Sequence, residues 1–227
     1  MTSSAGLDGT RGMPESFSCP LCGSPQTRHF HADSKRHYQR CGHCDLVFVP
    51  ESFFLSMEEE KALYDMHEND PRDAAYRGFL SRLFEPMLER IPENGRGLDF
   101  GCGPGPTLSL MFEEQGRTVQ LYDPFYAPDE AVLDGEYDFI TATEVAEHLH
   151  HPGNELERLW ALLRPAGWLG IMTRRLMPEQ HFPDWHYKND PTHVIFFSDR
   201  TFLWLASRWK TTATFLGPDV VLLQKPL

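Results

Sequence analysis

Gly97-Leu98-Asp99-Phe100-Gly101-Cys102-Gly103-Pro104-Gly105-Pro106 reads as a short buried strand that runs straight into a turn with three glycines. Leu98 and Phe100 are the apolar strand residues. Gly101, Gly103 and Gly105 let the backbone take positive φ and approach a ligand with no Cβ in the way, and Pro106 suits the first turn of the helix that should follow. A strand feeding a helix through such a turn is the nucleotide-binding corner of a doubly wound α/β sheet. The spacing here is G-x-G-x-G behind an acid, which differs from the G-x-G-x-x-G that cradles a pyrophosphate. Asp99 would repel a phosphate but accepts hydrogen bonds from an ammonium group. A tight strand-to-helix connection without a ligand is the competing reading of the turn alone.

The chain continues in the same register. Residues 107–115 read as a helix stopped by Gly116, and residues 118–123 form the next strand, ending in Asp123. In a doubly wound sheet an acid about twenty residues past the turn accepts from both ribose hydroxyls of a nucleoside; the alternative role of Asp123 is a turn residue ahead of Pro124. A third strand, residues 137–143, leads into Glu144-Val145-Ala146-Glu147-His148-Leu149.

The ordered set Leu98–Gly105, Asp123, Glu144–Leu149 and Leu163-Arg164-Pro165-Ala166-Gly167-Trp168 resembles the class I S-adenosylmethionine-dependent methyltransferases, over roughly residues 73–227. The resemblance implies a Rossmann-like seven-stranded, mostly parallel sheet with helices on both faces and an antiparallel final strand, its last strands near residues 211–215 and 220–224 after a helix at 198–209. By position it assigns the cofactor to Asp99, Gly101, Cys102, Gly103, Gly105, Asp123 and Glu144. The dozen or so residues between Pro124 and Tyr137 leave little room for the usual intervening helix and strand, so the acid that contacts adenine has no clear counterpart; Asp129 and Asp134 are the candidates.

Cys19-Pro20-Leu21-Cys22 and Cys41-Gly42-His43-Cys44 are two C-x-x-C pairs separated by eighteen residues. This is zinc-ribbon spacing: Cys19, Cys22, Cys41 and Cys44 complete a closed tetrahedral site. Residues 16–50 are therefore expected to form a zinc ribbon ending in a strand at 46–49, after a disordered start at 1–15. A segment this short cannot bury a core of its own, so the ribbon should depend on its metal. Arg28, Lys35, Arg36 and Arg40, interleaved with His29, His31 and His37, read as a solvated basic face. Residues 51–72 form a linker with a helix at 56–66, and residues 72–91 a helix whose apolar stripe faces the core, kinked or broken near Pro86. Tyr64, His67 and Tyr76 are candidates to close over the cofactor.

With 227 residues and 41% apolar content the chain can bury a sizeable core, and its longest apolar runs fall well short of the ~18 residues a membrane span needs. The absence of a signal-like start points to a cytoplasmic protein, and that address works against the competing reading of the four cysteines as a pair of disulfides. A formal charge of −12 works against RNA or DNA binding through the phosphate backbone. The expected partner is a small-molecule acceptor, with no membrane partner, and the sequence does not specify an oligomeric state.

For the reaction, His193, Glu144, His148 and His186 are the candidate catalytic residues, and Trp185–His193, in a proline-punctuated loop, is the candidate acceptor-recognition segment. Two alternatives stand beside this reading. Glu144, Glu147, His148 and His193 could hold a divalent cation, which resembles the metal-dependent small-RNA 2′-O-methyltransferases. The other is a zinc-ribbon binding protein that keeps the fold without turnover.

Overall fold

The computed structural model describes residues 17–66 and 69–227; the expected disordered start at 1–15 and His67 lie outside the described residues. The elements in chain order are β1 (Thr27–Ala32), β2 (His37–Cys41), β3 (Val47–Phe48), α1 (Met57–Tyr64), α2 (Ala74–Leu88), β4 (Arg96–Phe100), α3 (Thr107–Glu113), β5 (Thr118–Tyr122), β6 (Tyr137–Thr143), α4 (Pro152–Leu162), β7 (Leu163–Met172), β8 (Ile195–Phe196), α5 (Asp199–Arg208), β9 (Ala213–Leu216) and β10 (Val220–Gln224). Among the described residues no helix is long and apolar enough to cross a membrane.

The main sheet has the order β5-β4-β6-β7-β10-β9. β5, β4, β6 and β7 are parallel neighbours, while β10 runs antiparallel to both β7 and β9. Alternation along the strands splits the core. Val220 and Leu222 face α2 and α3 together with Leu83, Met87, Phe112 and Phe139, whereas Val221 and Leu223 face the other layer with Ile140, Leu169 and Ile171. α2 starts on an Asp73 cap and runs through Pro86 in its last turn, so the proline does not break it. Its buried Leu80, Leu83 and Met87 repeat at helical spacing.

The expected seven strands are six among the described residues. Where the extra strand would lie, the chain makes a backbone bridge between Asp123 and Ala127 and one short 3-10 turn, Glu130–Asp134. A parallel crossover needs at least about 10–12 residues for its connection alone, and this segment has no length left for a strand. β5 is therefore the sheet edge.

The ribbon is a second, four-stranded sheet, β1-β2-β3-β8, and its fourth strand comes from the far half of the chain. Val47 pairs with Phe196 and Phe48 with Ile195, and Val49 N donates to Val194 O at 2.8 Å. Phe30 and Tyr38 of the ribbon meet the Phe182 ring edge-on, both with centroids at 5.0 Å, and Trp185 and Phe196 join the same cluster. The basic stretch is not all solvated: Arg36 is only 6% exposed and faces the residues after β7.

Candidate active site

The ends of β4, β5 and β6 converge on one cavity of about 570 Å³, within the usual range for small-molecule sites. Gly101 and Gly103 have φ of +74° and +63°, the left-handed region that favours glycine. The reasons for glycine differ along the turn. A Cβ at Gly101 would fall 2.3 Å from Val145 Cγ2 and one at Gly105 2.1 Å from Asn69 O, so the protein itself fills those spaces. At Gly103 the nearest atom would be Asn69 Nδ2 at 3.7 Å, so here the bare backbone lines the cavity.

Asp123 directly follows β5 and is buried. Its Oδ2 accepts from Gly103 N at 3.0 Å and its Oδ1 from Phe125 N and Tyr126 N at 2.8 and 3.1 Å. The residue thus ties the glycine turn to the next turn while lining the cavity. Asp99 is 4% exposed and accepts from Thr141 Oγ1 at 2.9 Å. Burial pushes its carboxyl up to about 7, against the Thr141 bond and with help from the Asp123 charge. A cation seated beside Asp99 would offset that cost. Cys102 lines the same wall as a thiol, pushed up to about 12 by burial and by the Asp99 and Asp123 charges, which makes it unreactive. Asp129 caps the 3-10 turn through Ala131 N, and neither it nor Asp134 lines the cavity.

The opposite wall comes from the β6 end and the loop before β8. Glu144 lines the cavity in a left-handed conformation, φ +53°, its N–H donating to Met172 O at 2.7 Å. Burial, then the charges of Glu147 and Asp219, push its carboxyl up to about 8. Glu147 has no exposed surface; its Oε1 accepts from Tyr187 OH at 2.5 Å, its Oε2 has no hydrogen-bond partner, and burial raises its pKa.

His148 and His193 meet with ring centroids 4.8 Å apart. His193 Nδ1 lies 2.7 Å from Tyr187 O and His148 Nδ1 3.2 Å from Thr192 O. A carbonyl only accepts, so the His193 proton sits on Nδ1 and Nε2 carries the lone pair. Burial and then the neighbouring His148 hold His193 below its ordinary value, a neutral imidazole at pH 7. Against burial, the two Thr192 donors keep Asp190 below the usual carboxylate range; its Oδ2 lies 3.9 Å from His193 Nε2.

Tyr64, Tyr76 and Phe79 close the cavity from α1 and α2. At the mouth, Glu60 Oε1 is 2.8 Å from His150 Nε2, and the His150 ring stacks on Phe54. No local pattern marks Glu60, because its role comes from a contact ninety residues away in sequence.

Of the residues expected to act, Glu144, His148 and His193 share the cavity. His186 does not: it is exposed outside the cavity, its Nε2 3.4 Å from Arg174 Nη1. The segment read as acceptor recognition divides in the same way. Trp185, Tyr187 and Lys188 are buried, Trp185 against Phe182 and Phe196, Tyr187 with its OH on Glu147 and Lys188 on Asp33 of the ribbon, and within Trp185–His193 only Asp190 and His193 reach the cavity. Among the described residues, the possible ligand atoms of Glu147, His148 and His193 lie within 4.8 Å of one another, a set that leaves out Glu144.

Cys19, Cys22, Cys41 and Cys44 form the other cluster, with Sγ atoms 3.5 Å apart for Cys19–Cys44 and 3.6 Å for Cys22–Cys41. Tetrahedral zinc with Zn–S near 2.3 Å sets an S···S edge of about 3.8 Å, so the donor set fits such an ion. His43 points away, its Nε2 accepting from Trp204 Nε1 at 3.0 Å.

Residues 71–209 match the family described as "Methyltransferase domain". The chain belongs to that family. It is an S-adenosylmethionine-dependent methyltransferase. The fold is similar to that of Burkholderia thailandensis 1,6-didemethyltoxoflavin-N1-methyltransferase, solved with 1,6-didemethyltoxoflavin and S-adenosylhomocysteine: 20% identity, 88% of this chain and 99% of that one, TM-score 0.51. An O-methyltransferase family protein from Burkholderia thailandensis matches at 13% identity over 78% of this methyltransferase and 62% of that chain, TM-score 0.51. An S-adenosylmethionine-dependent methyltransferase from Archaeoglobus fulgidus matches at 14% identity over 66% and 94%, TM-score 0.50. No curated protein matches the sequence.

Proposed function

We propose that this methyltransferase acts on a small, phosphate-free acceptor that is neutral or cationic, with His193 as the general base. The observation that carries the reading is the lining: among the described residues around the cavity there is no Lys or Arg, whereas Glu60, Glu144, Glu155 and Asp190 bring acid and Tyr64, Tyr76 and Phe79 bring flat apolar faces. A phosphate or carboxylate on the acceptor would meet no partner charge there, and an aromatic amine or phenol would. The small-molecule acceptor in the fold neighbour from Burkholderia thailandensis supports the same size class. The cation-poor lining also weighs against RNA as acceptor.

When bound, S-adenosylmethionine supplies an electrophilic methyl on a sulfonium, whose carbon–sulfur bond breaks as the acceptor's lone pair forms the new bond and the electron pair returns to sulfur. Asp99 and the Gly101–Gly105 turn, with Cys102 beside them, would hold the amino-acid end, and Asp123 the ribose. The aromatic wall would fix the acceptor in line, which is where most of the acceleration in such a transfer can arise. The acceptor's proton would pass to His193 Nε2, oriented by the Nδ1 bond to Tyr187 O. Glu144, pushed up to about 8, holds its proton at neutral pH and would donate to the acceptor rather than act as base.

We assign a structural zinc ion to Cys19, Cys22, Cys41 and Cys44, and the reduced thiols this requires support a cytoplasmic address. On this reading residues 16–50 are the ribbon, 51–72 the linker and 73–227 the catalytic domain, with the strand at Ile195–Phe196 shared. Metal analysis should return about one zinc per chain, and a Cys41→Ser protein that keeps all of it would refute the assignment.

The acceptor reading is tested in a coupled S-adenosylhomocysteine assay over paired compounds, tyramine and dopamine against tyrosine O-phosphate and 4-hydroxyphenylacetate. Turnover confined to the amines is expected. Preference for the anionic members would overturn it.

A further inference from the structure

Arg36 stands in the turn between β1 and β2, and its guanidinium is the most heavily used side chain in the contact between ribbon and catalytic domain. Nη1 donates to Pro191 O at 3.1 Å and His193 O at 2.9 Å, and Nη2 to Asp190 O at 2.9 Å and to Lys188 O. Four carbonyls of one loop thus converge on a single planar fork. Lys cannot reproduce this, because an ammonium presents three donors from one point. The loop answers in kind: Lys188, 4% exposed, donates from Nζ to Asp33 Oδ2 at 2.9 Å. The other oxygen of Asp33 accepts from Lys35 N and Arg36 N at 2.8 and 2.9 Å, so the same carboxylate shapes the turn that carries Arg36.

The other side of this loop is the active-site wall. Asp190 and His193 line the cavity, and the peptide whose carbonyl Arg36 holds belongs to His193 itself. Val194, next in sequence, donates to Glu147 O at 2.9 Å and accepts from Val49 N of the ribbon. The loop is therefore attached to the ribbon through Arg36, Asp33 and Val49 and to the β6 end through Glu147, whereas among the described residues no hydrogen bond joins the glycine turn to the ribbon.

We infer that Arg36 is a positioning residue for His193, so that the ribbon completes the acceptor half of the active site while leaving the cofactor half to the catalytic domain. The inference rests on the proposal that His193 faces the acceptor. It concerns how that side chain is held, and it is measurable without knowing the acceptor.

The test compares full-length wild type, Arg36→Ala and Arg36→Lys by three readouts. These are S-adenosylhomocysteine affinity by calorimetry, amide exchange of residues 188–194, and the ring-nitrogen NMR signature of the Nδ1-protonated His193 tautomer. Arg36→Ala should bind S-adenosylhomocysteine within about twofold of wild type, yet lose at least about tenfold of its exchange protection in the loop, since several charge-assisted bonds are gone. The fixed His193 tautomer should disappear with them. Millimolar guanidinium should restore both, and Arg36→Lys should fall between.

Unchanged loop protection and tautomer in folded Arg36→Ala would overturn the inference, as would a parallel loss of S-adenosylhomocysteine affinity, which marks a general destabilisation. If Arg36→Ala does not fold, Arg36→Lys decides by the same measures. Wild type that fails to bind S-adenosylhomocysteine defeats the methyl-transfer reading instead, and the loop and tautomer measurements still judge Arg36.

Discussion

Gly101 and Gly103 sit two residues apart in the same turn, both left-handed, and replacing each by alanine should separate a glycine the fold needs from one the ligand needs. The shared backbone term is about 1–2 kcal/mol for a non-glycine residue at positive φ. Only Gly101 adds a steric term. The new methyl would lie 2.3 Å from Val145 Cγ2 and 3.1 Å from its Cβ, a β-branched side chain with little rotamer freedom to yield, and overpacking of this kind costs about 1–3 kcal/mol. Gly101→Ala is thus expected to lose roughly 2–5 kcal/mol and Gly103→Ala roughly 1–2 kcal/mol. Urea titration followed by circular dichroism gives both. Adding Val145→Ala should return most of the steric part in the first case, a coupling of about 1–3 kcal/mol, and none in the second. S-adenosylhomocysteine affinity should run the other way, because a methyl at Gly103 enters the cavity; a loss of tenfold or more is expected for folded Gly103→Ala. Equal stability losses at the two positions, or a double-mutant coupling near zero, would refute the steric argument.

Two further outcomes follow from buried acids. Asp99 sits at about 7 because burial disfavours its charge, and binding an ammonium selects the carboxylate, so affinity for S-adenosylmethionine should fall by roughly tenfold between pH 8 and pH 6. Calorimetry across that range checks it, and a folded Asp99→Asn protein that keeps the same slope would assign the titration elsewhere. Glu147 is held above the usual glutamate range by burial, so the folded state binds its proton more tightly than the unfolded chain. Stability from this group is present at low pH and declines as pH rises past the unfolded value. Glu147→Gln should therefore gain on wild type in urea titrations as pH is raised from 5 to 8; a constant difference would mean that the carboxyl is ionised throughout.

Local chemistry was legible wherever it depends on neighbours in sequence. The strand-and-glycine turn, the Gly116 stop at φ +79°, and β6 over Tyr137–Thr143 all lie where alternation and turn residues put them. So do the two cysteine knuckles, since ligand spacing within a knuckle is a local property. What failed to show was long-range. Arg36 carries a full charge, and a local reading puts charge in water; only the folded chain brings four carbonyls to it. Ile195–Phe196 is a two-residue strand with no period to detect, defined by its partner β3. Trp185 and Tyr187 suggest recognition as aromatics in a polar loop, yet both are used inside the chain, Trp185 on Phe182 and Phe196 beside the ribbon and Tyr187 on Glu147 and Thr173. The missing seventh strand follows from the short segment after Asp123, whose length was visible and which closes on itself as a bridge and a 3-10 turn.

The sheet shared between the two ends of the chain has a consequence for how the protein is made. Arg36 and His193 are 157 residues apart in sequence, so on a ribosome adding about 5–20 residues per second the first-made hairpin waits roughly 8–30 seconds for the strand that seats it. Closing so wide a loop carries an entropy cost that must be met before its contacts reward it. A metal clipped into the two early cysteine knuckles would give that hairpin its shape throughout the interval, before β8 has been synthesised.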